Sequence, residues 1–242
     1  MMKTIFVTGG AKRIGKAIIE RFAKENWKVI IHYNKSKLDA EDLATKINSN
    51  NDNSAFIVGG NLDNSVDVES IIESVNAISE RLDLLVNNAS TFYPTPIEKI
   101  SNDHWNKLIG SNLKGPLFLI QGFQEKLKVS KGSIINITDT NLTKGVANFS
   151  IYSAAKAGLE SITRGLAKEL APEIKVNAIA PGAMLEPPDV SWTKEQKNKV
   201  IQSIPLKKMG AEKDIAEAVY FLACADYITG QIIKIDGGRS LT

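Results

Sequence analysis

Apolar and polar residues alternate along the chain in two rhythms. Short runs dense in Val, Ile, Leu and Phe fall at residues 4–8, 28–33, 54–58, 83–87, 132–138, 174–179 and 231–236. Their length and near-continuous apolarity match strands buried on both faces. Between them the apolar positions recur three and four residues apart. In the first such segment Ile14, Ala17, Ile18, Arg21, Phe22 and Glu25 mark a mainly apolar stripe with a charged back. Strand and helix alternating in this way predict an α/β fold, a doubly wound parallel sheet of about seven strands with helices on both faces. No Pro-, Gly- or Ser-rich boundary and no tandem repeat divides residues 1–242, so a single domain is expected. A Pro-rich, charged stretch from Pro181 to Lys208 breaks the alternation. Long loops in compact domains carry function or motion, and the part around 183–208 reads as a substrate lid.

Composition narrows the classes. With 43% hydrophobic and 24% charged residues the chain is globular rather than disordered. A net charge of +3, from 30 basic and 27 acidic residues, is too balanced to indicate nucleic-acid binding. Cys224 is the one cysteine, so no internal disulfide exists and a reducing compartment is expected. It follows the apolar run Val219 to Ala223 and reads as a small buried hydrophobe. Met1-Met2-Lys3 runs straight into a strand, with no signal-like apolar region, and no run is long enough to span a bilayer. A cytoplasmic protein with no membrane partner is expected. His32 and His104 lie far apart without partners at ligand spacing, so no metal is expected.

In such folds ligands bind beyond the C-terminal ends of the strands. The first strand ends in Thr8-Gly9-Gly10-Ala11-Lys12-Arg13-Ile14-Gly15, and a helix follows. Glycines permit a sharp turn and close approach to a pyrophosphate, and the helix start offers N–H groups and a positive dipole. The second strand runs through His32 and Tyr33 into Asn34-Lys35-Ser36-Lys37, and no acid occurs before Asp39. An acid at this place would bind a ribose 2′-hydroxyl; basic and hydroxyl groups suit a 2′-phosphate instead. NADPH is therefore the expected cofactor.

Tyr152 and Lys156 stand at i and i+4 of a predicted helix and share a face. Tyrosine is a poor acid near neutrality, with a pKa of about 10. A nearby ammonium is expected to lower it, giving a pair that delivers a proton as hydride arrives next door. The spacing alone is a weak signal, since Tyr33 and Lys37 share it. The surroundings single out Tyr152: the strand before it ends in Asp139. Asp139 reads either as a turn aspartate or as a catalytic carboxyl group.

Thr8-Gly9 with Ile14-Gly15, Asn87-Asn88-Ala89, Tyr152-x-x-x-Lys156 and Pro181-Gly182 occur in the order and spacing of the short-chain dehydrogenases/reductases. The chain resembles that family nearly end to end. Within it, Thr8 to Gly15, His32 to Ser36, Asn87 to Pro96, and Tyr227-Ile228-Thr229-Gly230 through Asp236 to Leu241 are most similar to the pteridine reductases. The resemblance implies a Rossmann-type fold, a homotetramer and a small pterin- or folate-like substrate. It implies that Tyr152 donates a proton and that Lys156 holds the nicotinamide ribose and tunes Tyr152. Asn112 would support a proton-relay water. Asn88, Ala89 and Ser90 would line the cofactor, with Gly9, Lys12, Ile14, Gly15, Asn61, Leu62, Pro181 and Gly182. Arg13, His32, Lys35 and Ser36 would surround its adenosine phosphate, and Tyr33 and Asn34 would also contact the cofactor. Phe92 would stack on the pterin, with Arg13, Ser90, Asp139, Tyr152 and Met184 completing the substrate site.

Asp139 departs from the wider family, which places a serine there to hold a carbonyl. Pteridine reductases place an aspartate, and a carboxyl group suits ring nitrogens that must gain protons. Arg13 replaces a common glycine, as in the pteridine group. The lid matches only loosely, and there Met184, Leu185 and Trp192 would meet the variable end of the substrate. The expected reaction is hydride transfer to a C=N carbon of a pterin or dihydropterin, with dihydromonapterin, dihydrobiopterin and dihydrofolate as candidates. A ketone or 3-oxoacyl thioester reductase and a non-catalytic NADPH-binding regulator are the alternatives.

Overall fold

A computed structural model describes residues 2–184 and 192–242, with only the backbone at Thr143. In chain order its elements are β1 (Thr4–Val7), α1 (Arg13–Ala23), β2 (Lys28–Tyr33), α2 (Lys37–Asn48), β3 (Ala55–Gly59), α3 (Ser65–Ile78) and β4 (Leu84–Asn87). There follow α4 (Asn102–Ile109), α5 (Gly115–Ser130), β5 (Ser133–Ile137), α6 (Ser150–Glu169), β6 (Lys175–Pro181), α7 (Lys194–Gln202), α8 (Glu212–Cys224) and β7 (Ile232–Ile235). The seven strands form one parallel sheet in the order β3-β2-β1-β4-β5-β6-β7. The seven apolar runs are the seven strands, with bounds shifted by at most two residues.

Two apolar layers clamp the sheet. On one face Ile18, Ile19 and Phe22 of α1, Leu43 of α2 and Ile215, Val219 and Leu222 of α8 pack on Ile5, Val7, Ile31 and Val86. On the other, Val68 and Ile71 of α3 and Leu119, Phe123 and Leu127 of α5 cover Phe6, Ile30, Leu85 and Ile134. Alternate residues of each strand feed alternate faces, which explains runs that are apolar throughout. Phe22 ties its layer together, edge-on to Trp27 at 4.9 Å and to Tyr220 of α8 at 5.3 Å. Strand order reverses at β1, which has β2 on one side and β4 on the other. A crevice beyond the strand ends forms at such a switch point.

Two expectations fail. Cys224 is exposed, not buried. The run Val219 to Ala223 lies on a helix, so Val219 and Leu222 are buried in the core, Tyr220 and Ala223 pack half-buried against it, and Phe221 and Cys224 turn outward. The stretch 183–208 is also not a continuous loop, because α7 forms inside it. Thr193 and Gln196 make a reciprocal capping box that starts this helix: the Gln196 N–H donates to Thr193 Oγ1 at 3.2 Å, and the Thr193 N–H to Gln196 Oε1 at 2.9 Å. Leu185 lies outside the described residues. His104 packs edge-on against Tyr93 at 5.8 Å. Among the described residues no helix is long and apolar enough to cross a membrane.

Candidate active site

The turn after β1 is built on two glycines. Gly9 has φ +60°, the left-handed region where a side chain is strained. A Cβ on Gly15 would lie 2.1 Å from the Gly9 carbonyl oxygen. No side chain caps the start of α1 and no acid occupies its first turn, so its N–H groups face outward as an anion cradle. Arg13 opens the helix with φ +50°, tolerating the conformation that glycine would take.

His32 corrects one expectation. It is buried, its Nδ1 accepts the Gly9 N–H at 3.0 Å, and its Nε2 meets the Gly60 carbonyl at 3.1 Å. Burial pulls its pKa down to about 4, so the ring is neutral and both nitrogens are used. It holds the turn from beneath and has no nitrogen left for a phosphate. Lys12 pairs with Asp39 at 2.9 Å. Lys35 is exposed, and Ser36 begins α2 without spending its hydroxyl on a cap. Asn34 donates to Asn61 Oδ1 at 3.3 Å, joining the ends of β2 and β3, while Tyr33 is half-buried and Leu62 buried. These groups fit a dinucleotide lying across the crevice.

Across the switch point, β4 is tied to the same turn. Thr8 Oγ1 accepts the N–H groups of Asn88 and Ala89 at 2.9 and 3.0 Å. The Asn88 amide donates to the carbonyls of Thr8 and Gly9 at 2.8 and 3.1 Å. Ser90 Oγ then donates to Asn112 Oδ1 at 2.8 Å, and Asn112 Nδ2 donates to the carbonyls of Thr91 and Leu108 at 2.9 and 3.0 Å. Asn112 sits in a widened π-helical turn, Gly110–Lys114, that joins α4 to α5. Such turns are frequent at functional sites because they re-aim a side chain.

At the end of β5, Asp139 serves two partners. Its Oδ1 accepts the Asn141 N–H at 2.7 Å, and its Oδ2 accepts the Tyr152 hydroxyl at 3.0 Å. The turn role and the contact with Tyr152 therefore coexist. Lys156 is fully buried and donates to the Ile137 carbonyl at 2.8 Å. Burial lowers its pKa to about 8, partly opposed by Asp139. Tyr152 goes opposite to the expectation. Burial, and then the Asp139 carboxylate, push its pKa well above the ordinary phenol value, against a smaller lowering by a Ser90 hydrogen bond. The tyrosine is a held proton, not a ready phenolate. Phe92 is stacked on Phe149, with centroids 4.4 Å apart, and stands edge-on to Tyr152 at 4.8 Å. Thr140 Oγ1 reaches the Pro181 carbonyl at 3.1 Å, and Gly182 closes on β7 through Ile235 at 2.9 Å. Met184 is buried against the α1 layer.

A family model described as enoyl-(acyl carrier protein) reductase matches residues 9–240. The chain belongs to the short-chain dehydrogenase/reductase family. It is 33% identical to pteridine reductase 1 of Leishmania tarentolae over 278 aligned positions, covering 98% of this chain and 96% of that protein. It is 34% identical to the 3-oxoacyl-(acyl-carrier-protein) reductase FabG of Staphylococcus aureus, with 98% of each chain covered, and of Staphylococcus epidermidis, with 98% and 99% covered. The protein is thus an oxidoreductase of this family and uses a nicotinamide cofactor.

Three contributors were not evident in the sequence. Phe149, directly before α6, backs Phe92. Thr8 links β1 to β4 through one hydroxyl. His32 supports the turn rather than a phosphate. An aromatic just before the Tyr152 helix was the available signal for Phe149; the other two depend on contacts between strands distant in sequence.

Proposed function

We propose that the protein is an NADPH-dependent reductase of a pterin or dihydropterin C=N bond. The carrying observation is the contact of the Tyr152 hydroxyl with the Asp139 carboxylate at 3.0 Å. A carboxylate beside the proton donor repels a developing alkoxide but accepts hydrogen bonds from a ring's N–H and amino edge. Bound in the crevice, the nicotinamide supplies the hydride. Tyr152 delivers its proton to the ring nitrogen next to the carbon being reduced, and Asp139 orients that nitrogen edge and takes part in returning a proton to the phenol. Lys156, held by the Ile137 carbonyl, places a cation near the phenolate left behind. Phe92 offers a flat apolar face for the ring. Uncapped Ser36 and exposed Lys35 support NADPH over NADH.

A homotetramer belongs to this reading. Exposed Phe118 on α5 and Phe221 on α8 support burial against second copies, and light scattering tests it. The second reading, a 3-oxoacyl thioester reductase, is favoured by the equal similarity to FabG. Purified protein with NADPH, assayed on dihydropterins and on an acetoacetyl thioester, separates the two. Turnover of dihydropterins, abolished in Tyr152→Phe, is expected; turnover of the thioester alone overturns the proposal.

A further inference from the structure

Strand β5 ends at Ile137, but the chain keeps its hold on β6 beyond that point. In the parallel register Ile137 faces Ile179, and the Thr138 N–H donates to the Ile179 carbonyl at 2.8 Å. Two residues further, a continued strand would bring the Thr140 N–H to the Pro181 carbonyl. The backbone instead leaves the sheet for a short 3₁₀ turn, Thr140–Thr143. The Thr140 hydroxyl takes over the missing bond and donates to the Pro181 carbonyl at 3.1 Å. Thr140 is buried, so this bond is shielded from competing solvent.

Asp139 lies between these two anchors. Thr138 ties its N-terminal side to β6, and Thr140 ties its C-terminal side. The carboxylate is then shared between the Asn141 N–H at 2.7 Å and the Tyr152 hydroxyl at 3.0 Å. The far end of the Thr140 bond is stiff. Gly182, which follows Pro181, donates its N–H to the Ile235 carbonyl at 2.9 Å. A Cβ on Gly182 would lie 2.5 Å from Asp236 Cβ, so β7 leaves this segment no room to shift. The Pro181 carbonyl is therefore a fixed point, and Thr140 refers Asp139 to it. Without the hydroxyl, Asp139 would stay bonded to Asn141 and Tyr152 but would be free to swing on one side.

We propose that Thr140 is a positioning residue for the reaction: its hydroxyl holds Asp139 where the carboxylate meets the Tyr152 proton. The proposal rests on Tyr152 as the proton donor and holds for either substrate class. Thr140 itself touches neither Tyr152 nor a reacting atom; it acts through Asp139 alone.

Thr140→Val removes the hydroxyl and keeps the branched shape, whereas Thr140→Ser keeps the hydroxyl. Both are compared with the wild type on dihydrobiopterin and on an acetoacetyl thioester, with NADPH, in H₂O and in D₂O. In Thr140→Val kcat should fall roughly tenfold on whichever substrate the wild type reduces, because small misplacements of a reacting group are costly. Its KM for that substrate and its Kd for NADPH should stay within twofold. The D₂O effect on kcat should grow, since proton delivery slows while hydride transfer does not. Thr140→Ser should recover kcat to within threefold. A residue that only shapes the turn would lower the denaturant midpoint and leave kcat and the D₂O effect unchanged, and that result overturns the assignment. An equal loss in Thr140→Ser, or a weakened NADPH affinity with kcat retained, overturns it as well. If the wild type reduces neither substrate, the reading of Tyr152 fails by itself. Thr140 is then tested by hydrogen exchange at the Asn141 N–H, which reports the bond to Asp139. Exchange at least tenfold faster in Thr140→Val but not in Thr140→Ser keeps the role in holding Asp139, and equal exchange in all three proteins removes it.

Discussion

Tyr152 and Asp139, thirteen residues apart, share a hydrogen bond of 3.0 Å between the phenol and carboxylate Oδ2. On the proposed reading, the carboxylate takes the place from which a neutral hydroxyl holds a carbonyl in the wider family. Replacing it should change which substrates are accepted. Asp139→Ser should lower kcat on dihydropterins about 100-fold, the scale of one lost proton-handling group. Activity on an acetoacetyl thioester should not fall in parallel. Parallel losses in side-by-side assays would show that Asp139 only shapes the turn before Asn141.

Lys156 sets a pH limit. Its pKa in the fold is about 8, so its charge is present below pH 8 and lost above it. kcat/KM for reduction should hold below that value and decline above it. Lys156→Arg, which keeps its charge, should move the decline several pH units upward at a lower absolute rate. Stability should run the other way. The unfolded chain holds this proton up to about pH 10.4, so between 8 and 10.4 the unfolded state binds more protons and the fold gains stability with rising pH. Denaturant midpoints and rates measured across this window should diverge.

The acid limb belongs to His32. The folded ring titrates near 4 and the unfolded ring near 6.5, so protons favour unfolding throughout that interval. About 3 kcal/mol of stability should be lost from this group as pH falls from 6.5 to 4. Urea midpoints should drop over that range in the wild type, and in His32→Gln the drop should be shallower.

Cofactor choice should rest on the two residues after Asn34. Lys35→Asp places a negative charge where a 2′-phosphate would sit. Its Kd for NADPH should rise at least tenfold, while that for NADH should stay level or improve. Fluorescence titration of both cofactors reads this directly, and unchanged NADPH affinity would place the phosphate elsewhere.

The sheet was legible in the sequence because its strands are buried on both faces, which leaves uninterrupted apolar runs such as Val29 to Ile31. The glycine turn was legible because a tight backbone admits few residues. Errors arose where one residue type permits two environments. Cys224 follows an apolar run but sits on the outer side of a helix. His32 is the penultimate residue of β2, which points at the cofactor crevice, yet its ring turns inward to Gly9 and Gly60. Helix α7 was hidden in a charged, Pro-flanked stretch, although Thr193 and Gln196 carried its capping signal. The sign of the Tyr152 shift was not readable, because it depends on burial and on the distance to Asp139 rather than on the spacing to Lys156.

The widened turn at Gly110–Lys114 has a consequence for how the chain tolerates insertions and deletions. There the Gly115 N–H reaches back five residues to the Gly110 carbonyl. Removing one residue would restore an ordinary helix and rotate everything after it by about 100°. Leu119, Phe123 and Leu127 would swing off the sheet face they cover, and Asn112 would lose its aim at Ser90 and Thr91. Between Asn102 and Ser130, therefore, residue number is under tighter constraint than residue identity: a substitution disturbs one contact, whereas a change of length breaks core and active site together.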